Sequence, residues 1–515
     1  MIVPIGGILL VVRLSNKQSI QVCFGGTREI GGLGRRAVLI AFLVPVLALG
    51  VAVSIWASYG FRYSMLNPAV GEATEPIPWD DAGSHAWGVN RAIFLARAHH
   101  WLPEAYLYGF SFVMHHSEAR NAFLTGEFRR FGWISFFPYC LATKTPLELF
   151  VLLGMAGGAL WFHRGQRSGA ELSLNRESTP AESGRPAAET VCNGLLYDLT
   201  PLLTLFLVYW VVALASRLNI GHRHLLPTYP AMMILAGAAA GWFRSPSPGS
   251  VTASSGGTKI VRNTAGAALR TMRLLVVAAV GLYAVEGVWI WPHYLAYFNV
   301  LVGGPRHGYK HLVDSSLDWS QDLKGVKTWL DAHPADARDQ RRLYFSFYGS
   351  PPPEYYGIRV QRLPSFPFRW QPHSPEPLTG GTYLISATML ERSMLADAGR
   401  WNREYESRYQ NLRSNVEVYQ KLSGTADGKA QLYSVAPEQE WQDMFKTYEV
   451  LRFSRLASFL CQREPDDQIG YSIMVYRLTQ EDLDRAVDGP PVEMLDAPEW
   501  MIEDQRLGRN QPNEG

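Results

Sequence analysis

Four side chains suited to binding anions stand close together in Arg217-Leu-Asn-Ile-Gly-His-Arg-His-Leu-Leu-Pro-Thr-Tyr-Pro230. They are Arg217, His222, Arg223 and His224. One apolar run ends at Ser216 and another begins at Leu225. Each run is long enough to cross a bilayer. The loop between them is too short to form a domain, so its cations lie at a membrane surface. A guanidinium fork pairs with phosphate oxygens in a bidentate way. The ligand that carries phosphate to that depth is the phosphate or diphosphate head of a lipid-linked substrate. Gly221 allows close backbone approach. The plainer reading is that Arg217 and Arg223 only anchor helices by reaching lipid headgroups. Charge alone leaves both open.

Other groups bear on the same chemistry. Lys144, in Lys144-Thr-Pro146, falls on the same side of the membrane as Arg223 and adds a candidate phosphate ligand. Asp80-Asp81 is a carboxylate pair on an outside loop. It reads as a metal ligand or general base, or as a solvated turn after Pro78. Asp314, Asp318, Gln321 and Asp322 share Val313-Asp-Ser-Ser-Leu-Asp-Trp-Ser-Gln-Asp-Leu323. This segment lacks the alternating oxygen ligands and central glycine of a calcium loop. It reads as a helix start, with Asp318 or Ser320 capping a helix to about Ala332 and acids near its positive end. It also stands as a second candidate polar site. Glu286 lies inside an apolar run, a costly place unless the group is functional or paired. Cys23, Cys140, Cys192 and Cys461 are scattered, with neither metal spacing nor a disulfide framework.

The elements that must position these groups follow from composition and periodicity. The chain has 515 residues, 47% apolar and 18% charged, with a net charge of +2. That balance gives no basic field for nucleic acid. Residues 1–36 follow no pattern and stay unassigned. Residues 37–292 carry five apolar spans: 37–59, 146–162, 199–216, 225–243 and 274–291. A loop at 60–131 faces outside, with a helix-like stretch over Val89–His99. An interfacial segment up to Leu141 precedes the second span. Arg35-Arg36, His163-Arg164 and the basic Ser/Gly stretch after Arg244 mark the inner side. The basic loop 217–224 is the exception, and falls outside. After Pro292 the chain stays outside. His293–Asn299 forms an aromatic collar, and 293–483 reads as an α/β domain. Its strands are expected at Leu343–Tyr348, Thr382–Ala387 and Tyr471–Arg477, with a helix over Trp441–Leu456. The acidic, proline-rich stretch 484–515 reads as loose.

Several stretches together resemble a known family. Asn219-Ile-Gly-His-Arg-His-Leu-Leu-Pro227 is similar to a loop of bacterial glycosyltransferases of the dolichyl-phosphate-mannose protein mannosyltransferase type, family 39. Gly132-Trp133, Phe137-Pro138 and Lys144-Thr-Pro146 resemble their block before a membrane helix. Pro292-His-Tyr-Leu-Ala-Tyr-Phe-Asn299, Gly303-Gly-Pro305 and Asp314–Leu323 resemble the segment after their last span, where the family usually has Gly in place of Ser320. Tyr348-Gly-Ser350 and Tyr355-Tyr-Gly357 also fit. The likeness runs from about Ile55 to Tyr476.

The resemblance implies a polytopic α-helical membrane protein of GT-C-like fold with a C-terminal extracytoplasmic α/β domain. It implies transfer of a sugar from a polyprenyl-phosphate donor to an outside glycan or protein acceptor, in the bacterial inner membrane. Lipid phosphate would be held by His222, Arg223, His224 and Lys144. No cofactor is firmly implied, and a divalent metal is left open. The family's catalytic acid follows its first membrane helix, several helices ahead of the region matching Ile55. Here Glu29 is the sole carboxylate before Ile55. The expectation is therefore a C-terminal half that lacks the base, inactive alone, with Asp80 and Asp81 as weak substitutes. The rival expectation is a non-catalytic, membrane-anchored module that binds a glycan or a partner.

Overall fold

The computed structural model describes residues 2–16, 20–23, 27–65, 79, 87–118, 120–174, 187–244, 258–367, 375–395 and 399–496. The chain divides into two compact units, each described by itself. The first comprises 1–120, 151–218 and 225–277; the second comprises 121–150, 219–224 and 278–515.

In the first unit, α1 (Ile2–Ser15) and the hairpin of β1 (Ile20–Cys23) and β2 (Thr27–Ile30) fill the stretch that sequence left unassigned. Next comes α2 (Leu33–Ser58), apolar on all faces, with none of its apolar window buried by protein. A helix of that kind requires an apolar surround. Pro45 within it is of a type that membrane helices tolerate. Helices α3 (Trp87–Ala98) and α4 (Glu104–Glu118) enclose Trp79, Ile93, Ala96, Leu107 and Tyr108. An Arg97–Glu104 ion pair of 3.1 Å joins them.

Helix α5 (Phe136–Lys144) belongs to the second unit, while α6 (Leu147–Leu174) runs through both. Then come α7 (Ala187–Ala215), α8 (Tyr229–Gly237) between 3₁₀ turns at His222–Thr228 and Ala238–Phe243, and α9 (Thr258–Trp289). Small residues let α6, α9 and the 225–243 stretch approach closely. Ala156, Ala239 and Val276 form one buried cluster, as expected of helices that associate in an apolar solvent. Polar ties sit beside it: Trp242 Nε1 donates to Met155 O at 2.9 Å, and Arg273 Nε donates to Trp242 O at 2.9 Å.

Of the five spans expected, three helical stretches among the described residues are long and apolar enough to cross a membrane. These are Leu33–Ser58, His222–Phe243 and Gly266–Trp289. Helix α5 and Leu147–His163 pass together but bend by 97°, so they amount at most to a broken fourth span. Leu199–Ala215 is apolar but shorter, and falls below the ~20 residues of a full helical crossing.

The second unit holds a hairpin of β3 (Ala122–Leu124) and β4 (Glu127–Arg129) and a five-stranded mixed sheet. The sheet strands are β5 (Leu343–Ser346), β6 (Gln361–Arg362), β7 (Gly381–Ser386), β8 (Asp467–Ile469) and β9 (Ile473–Leu478), in the order β6-β5-β7-β9-β8. β5 pairs in parallel with β6 and β7; β9 pairs antiparallel with β7 and β8. Central strand β7 is buried almost throughout, which explains its unbroken apolar run Tyr383-Leu-Ile385. Helix α10 (Leu323–Ala332) lays Leu323, Val326, Trp329 and Leu330 against Leu343, Phe345, Leu384 and Val475.

Short α11 (Pro334–Ala337) and α12 (Ala387–Leu390) link parts of the sheet. Helices α13 (Arg403–Leu422) and α15 (Glu438–Leu460), joined through α14 (Ala426–Val435), form a second core around Trp401, Tyr405, Tyr409, Phe445 and Tyr448. Of the tail expected to be loose, 484–487 belongs to α16 (Gln480–Val487), 488–496 is tied back by the contacts of Glu493, and 497–515 lies outside the described residues. Glu493 is half-buried; it ion-pairs with exposed Arg400 at 2.8 Å and accepts the Trp401 backbone N–H at 3.0 Å. Buried Arg392 also stands 3.8 Å from the same carboxylate, so a proline-rich stretch is held where its acid meets a buried guanidinium.

Candidate functional site

The site is built within the second unit from three pieces far apart in sequence. The first is α5, which ends at Lys144. The second is the loop 219–224. The third is the segment 293–323.

Lys144 is buried and its amine is already engaged. Nζ donates to Ser316 O at 2.5 Å and to Leu295 O at 2.7 Å, and lies 4.1 Å from the Phe298 ring centroid. It therefore acts as a tie between α5 and the 293–323 segment, with most of its donor capacity spent on carbonyls. Asn299 works in parallel. Its backbone N–H donates to Thr143 O at 2.9 Å, and its Nδ2 donates to Ala142 O at 2.6 Å and Thr145 O at 2.9 Å.

The loop 219–224 docks by close approach. The Trp133 backbone N–H donates to Asn219 Oδ1 at 2.6 Å. Gly132, at φ 64°, has no room for a Cβ because Asn219 fills it. A Cβ on Gly221 would stand 2.8 Å from Ser315 Cβ. The His222 backbone N–H donates to Ser316 Oγ at 3.1 Å. His224 is half-buried, its ring edge-on to Phe137 at 6.3 Å. Arg223 is exposed, with its guanidinium 5.0 Å from the Trp319 ring centroid. The indole face attracts the guanidinium, and the exposure of Arg223 leaves it within reach of an anion.

The segment 314–322 forms a tightly self-bonded turn. Asp314 (φ 54°) and Ser320 (φ 62°) both adopt the left-handed backbone, rare outside glycine. Asp314 Oδ1 accepts from the Ser315 N–H at 2.6 Å and from Tyr348 Oη at 3.0 Å. Gln321 closes the turn: its Oε1 accepts the Trp319 N–H at 2.7 Å and its Nε2 donates to Asp322 Oδ2 at 2.9 Å. Asp322 also accepts from Ser472 Oγ at 2.6 Å and lies 3.5 Å from His293 Nδ1. Asp318 Oδ1 accepts the Ser320 N–H at 3.1 Å, while its buried Oδ2 makes no hydrogen bond.

Burial pushes the Asp318 carboxyl up to about 7, with Asp322 and Asp314 adding to the rise. Burial raises Asp322 as well, against the pull of Ser472 and His293. The helix start differs from expectation. Helix α10 begins at Leu323 with Asp322 at the cap position and no side-chain cap bond. The left-handed Ser320 breaks the approach, and its Oγ turns away to Tyr348 O at 2.6 Å.

The structure thus brings Lys144, His222, Arg223 and His224 onto one platform with the 314–322 turn. The Asp80 and Asp81 candidates lie outside the described residues. Among the described residues, no group of three or more His, Cys, Asp or Glu is placed to hold a metal ion. Asn219, Asn299, Ser316 and Trp319 carry much of the geometry; the sequence shows them only as members of motifs, with no individual role. For Asn219, Asn299 and Ser316 the available signal was their type: amides and a hydroxyl in loops beside long apolar runs, where unpaired backbone groups need partners. Comparison with family models, with curated proteins and with solved structures finds no match.

Proposed function

We propose that the chain is a GT-C-like membrane glycosyltransferase, similar to family 39, using a polyprenyl-phosphate-linked sugar as donor. The supporting observation is convergence. The stretches that carry the resemblance, 132–146, 219–224 and 293–323, meet through Lys144–Ser316, His222–Ser316, Gly221–Ser315 and Arg223–Trp319. Ser320, standing where the family usually has Gly, has a glycine-like backbone. These motifs therefore fit one another physically as well as by likeness.

In this reading an acceptor hydroxyl oxygen bonds to the anomeric carbon. The bond from that carbon to the phosphate oxygen breaks, and polyprenyl phosphate leaves with the electron pair. Arg223, exposed over Trp319, binds the departing phosphate and offsets its growing charge. His222 and His224 shape the loop beneath it. A carboxylate takes the hydroxyl proton; its candidates remain Asp80 and Asp81. The acceptor is an outside glycan or protein, and the compartment is the bacterial inner membrane with residues 293–515 outside.

The second reading, a non-catalytic glycan- or partner-binding module, is favoured by Lys144, whose amine serves two carbonyls and not a ligand. One experiment separates the two. Vesicles carrying the chain are given labelled polyprenyl-phosphate hexose and an acceptor extract. Transfer that is lost in Arg223→Ala supports the enzyme. Donor binding without transfer, itself lost in Arg223→Ala, supports a phosphate site that lacks its base. Absence of both binding and transfer removes the glycosyltransferase reading and leaves the module.

A further inference from the structure

Residues 289–301 leave a row of large apolar side chains uncovered. Ile290, Ala296, Tyr297 and Phe298 turn inward and are buried. Trp289, Trp291, Tyr294, Val300 and Leu301 are 57–73% exposed. The stretch contains no Asp, Glu, Lys or Arg.

The row is tethered. Lys144 Nζ holds Leu295 O, and Asn299 bonds Ala142 O, Thr143 O and Thr145 O. Asn299 Oδ1 also accepts the Leu301 N–H at 3.1 Å, fixing the turn that presents Val300 and Leu301. A strip bonded at these points cannot fold its apolar groups away. A contiguous apolar patch on a fixed backbone marks a surface that something covers.

Chain geometry says what covers it. The tethering carbonyls belong to residues 142–145, immediately ahead of Pro146 and the first turn of α6. The strip itself continues from the last residues of α9. It therefore stands level with the points where two apolar helices begin and end. Trp and Tyr, apolar bodies with a polar tip, suit the headgroup layer. Val300 and Leu301 have no polar tip and suit the hydrocarbon beneath it.

We infer that residues 289–301 form a lipid-surface binding site, seated in the interfacial layer of the bilayer with Val300 and Leu301 inserted below the headgroups. The inference depends on α6 and α9 lying in a membrane. It does not depend on sugar transfer.

The test is photo-crosslinking of the full chain in vesicles of phosphatidylcholine and phosphatidylglycerol. p-Benzoylphenylalanine replaces Leu301, Val285 or Tyr355, one per sample. Val285 is an exposed residue of α9, and Tyr355 is an exposed residue beside the sheet. The expected result is a phospholipid adduct at Leu301 matching that at Val285, with background only at Tyr355. Replacing Val300 repeats the reading should the Leu301 substitution disturb the turn. A lipid adduct at Val285 with background at both Leu301 and Val300 overturns the inference. So does a protein adduct at Leu301, which would mean that a polypeptide covers the strip. Background at all positions overturns it together with the membrane placement of α9, leaving the sugar-transfer assay to stand or fall alone.

Discussion

Arg223 is the residue on which a phosphate-binding reading turns, because it is exposed and lies over the Trp319 ring while Lys144 is spent. Arg223→Lys keeps the charge but loses the planar fork. It should weaken polyprenyl-phosphate binding about tenfold, within the range of one charge-assisted contact. Equilibrium binding to detergent-solubilised protein checks this. An unchanged Kd would return Arg223 to the role of a headgroup anchor.

Asp318 gives a second expectation at the same scale. Its folded carboxyl titrates at about 7, against about 3.9 in an unfolded chain. Between those values the folded protein binds the extra proton. Stability from this group is therefore fully present at the acid end and is lost as pH rises through 7. Asp318→Asn should remove that slope and stabilise the protein at pH 8 by up to roughly 4 kcal/mol. Asp322 and buried Glu391 shift in the same direction and remain in both proteins. The quantity to measure is thus the difference in unfolding free energy between variant and parent from pH 5 to 8. A flat difference would show that Asp318 is already ionised without cost.

At the scale of elements, the contact between loop 219–224 and the 314–322 turn decides whether the platform exists. Gly221 meets Ser315 where a methyl group has no room. Gly221→Ala should destabilise by about 1–3 kcal/mol, the usual cost of overpacking. Ser315→Gly should recover part of that loss in the double variant, because it removes the opposing Cβ. Thermal unfolding of the four proteins reads the coupling. Additive effects would mean that the two segments do not touch. The turn itself was hidden in the sequence. Its acids at 314, 318 and 322 look like a helix start, yet two left-handed residues fold it into a wedge. Local pattern cannot show such a turn, because Thr388, Ser472 and Tyr348, which hold it, lie far along the chain.

At the scale of the molecule, the basic loops predict an orientation. Val435, 78% exposed on α14, should face outside, and Arg244, after the His222–Phe243 stretch, should face inside. Cysteines placed at the two positions test this with a membrane-impermeant reagent. Val435→Cys should label in intact cells and Arg244→Cys only after permeabilisation. The reverse pattern would place Arg223 on the inner surface and remove an outside acceptor from the proposed reaction.

Periodicity and composition by themselves determined the apolar stretches. Runs at 37–59, 225–243 and 274–291 coincide with the helices Leu33–Ser58, His222–Phe243 and Gly266–Trp289. Strands expected near 343, 382 and 471 lie at Leu343–Ser346, Gly381–Ser386 and Ile473–Leu478. These are local properties, since hydrophobic burial acts on each stretch through its own side chains. The sequence also named the cations of the 217–224 loop, because their types alone limit what they bind.

Tertiary structure decided what each cation does. Lys144 reads as a phosphate ligand until two carbonyls, from Leu295 and Ser316, are seen to fill its donor sites. Arg223 is exposed beside the Trp319 ring, some hundred residues on, a neighbour that only the fold supplies. A charge on a sequence carries no information about competing partners. A buried amine takes whichever acceptors the fold brings to it, because leaving either unpaired costs more than any single contact gains.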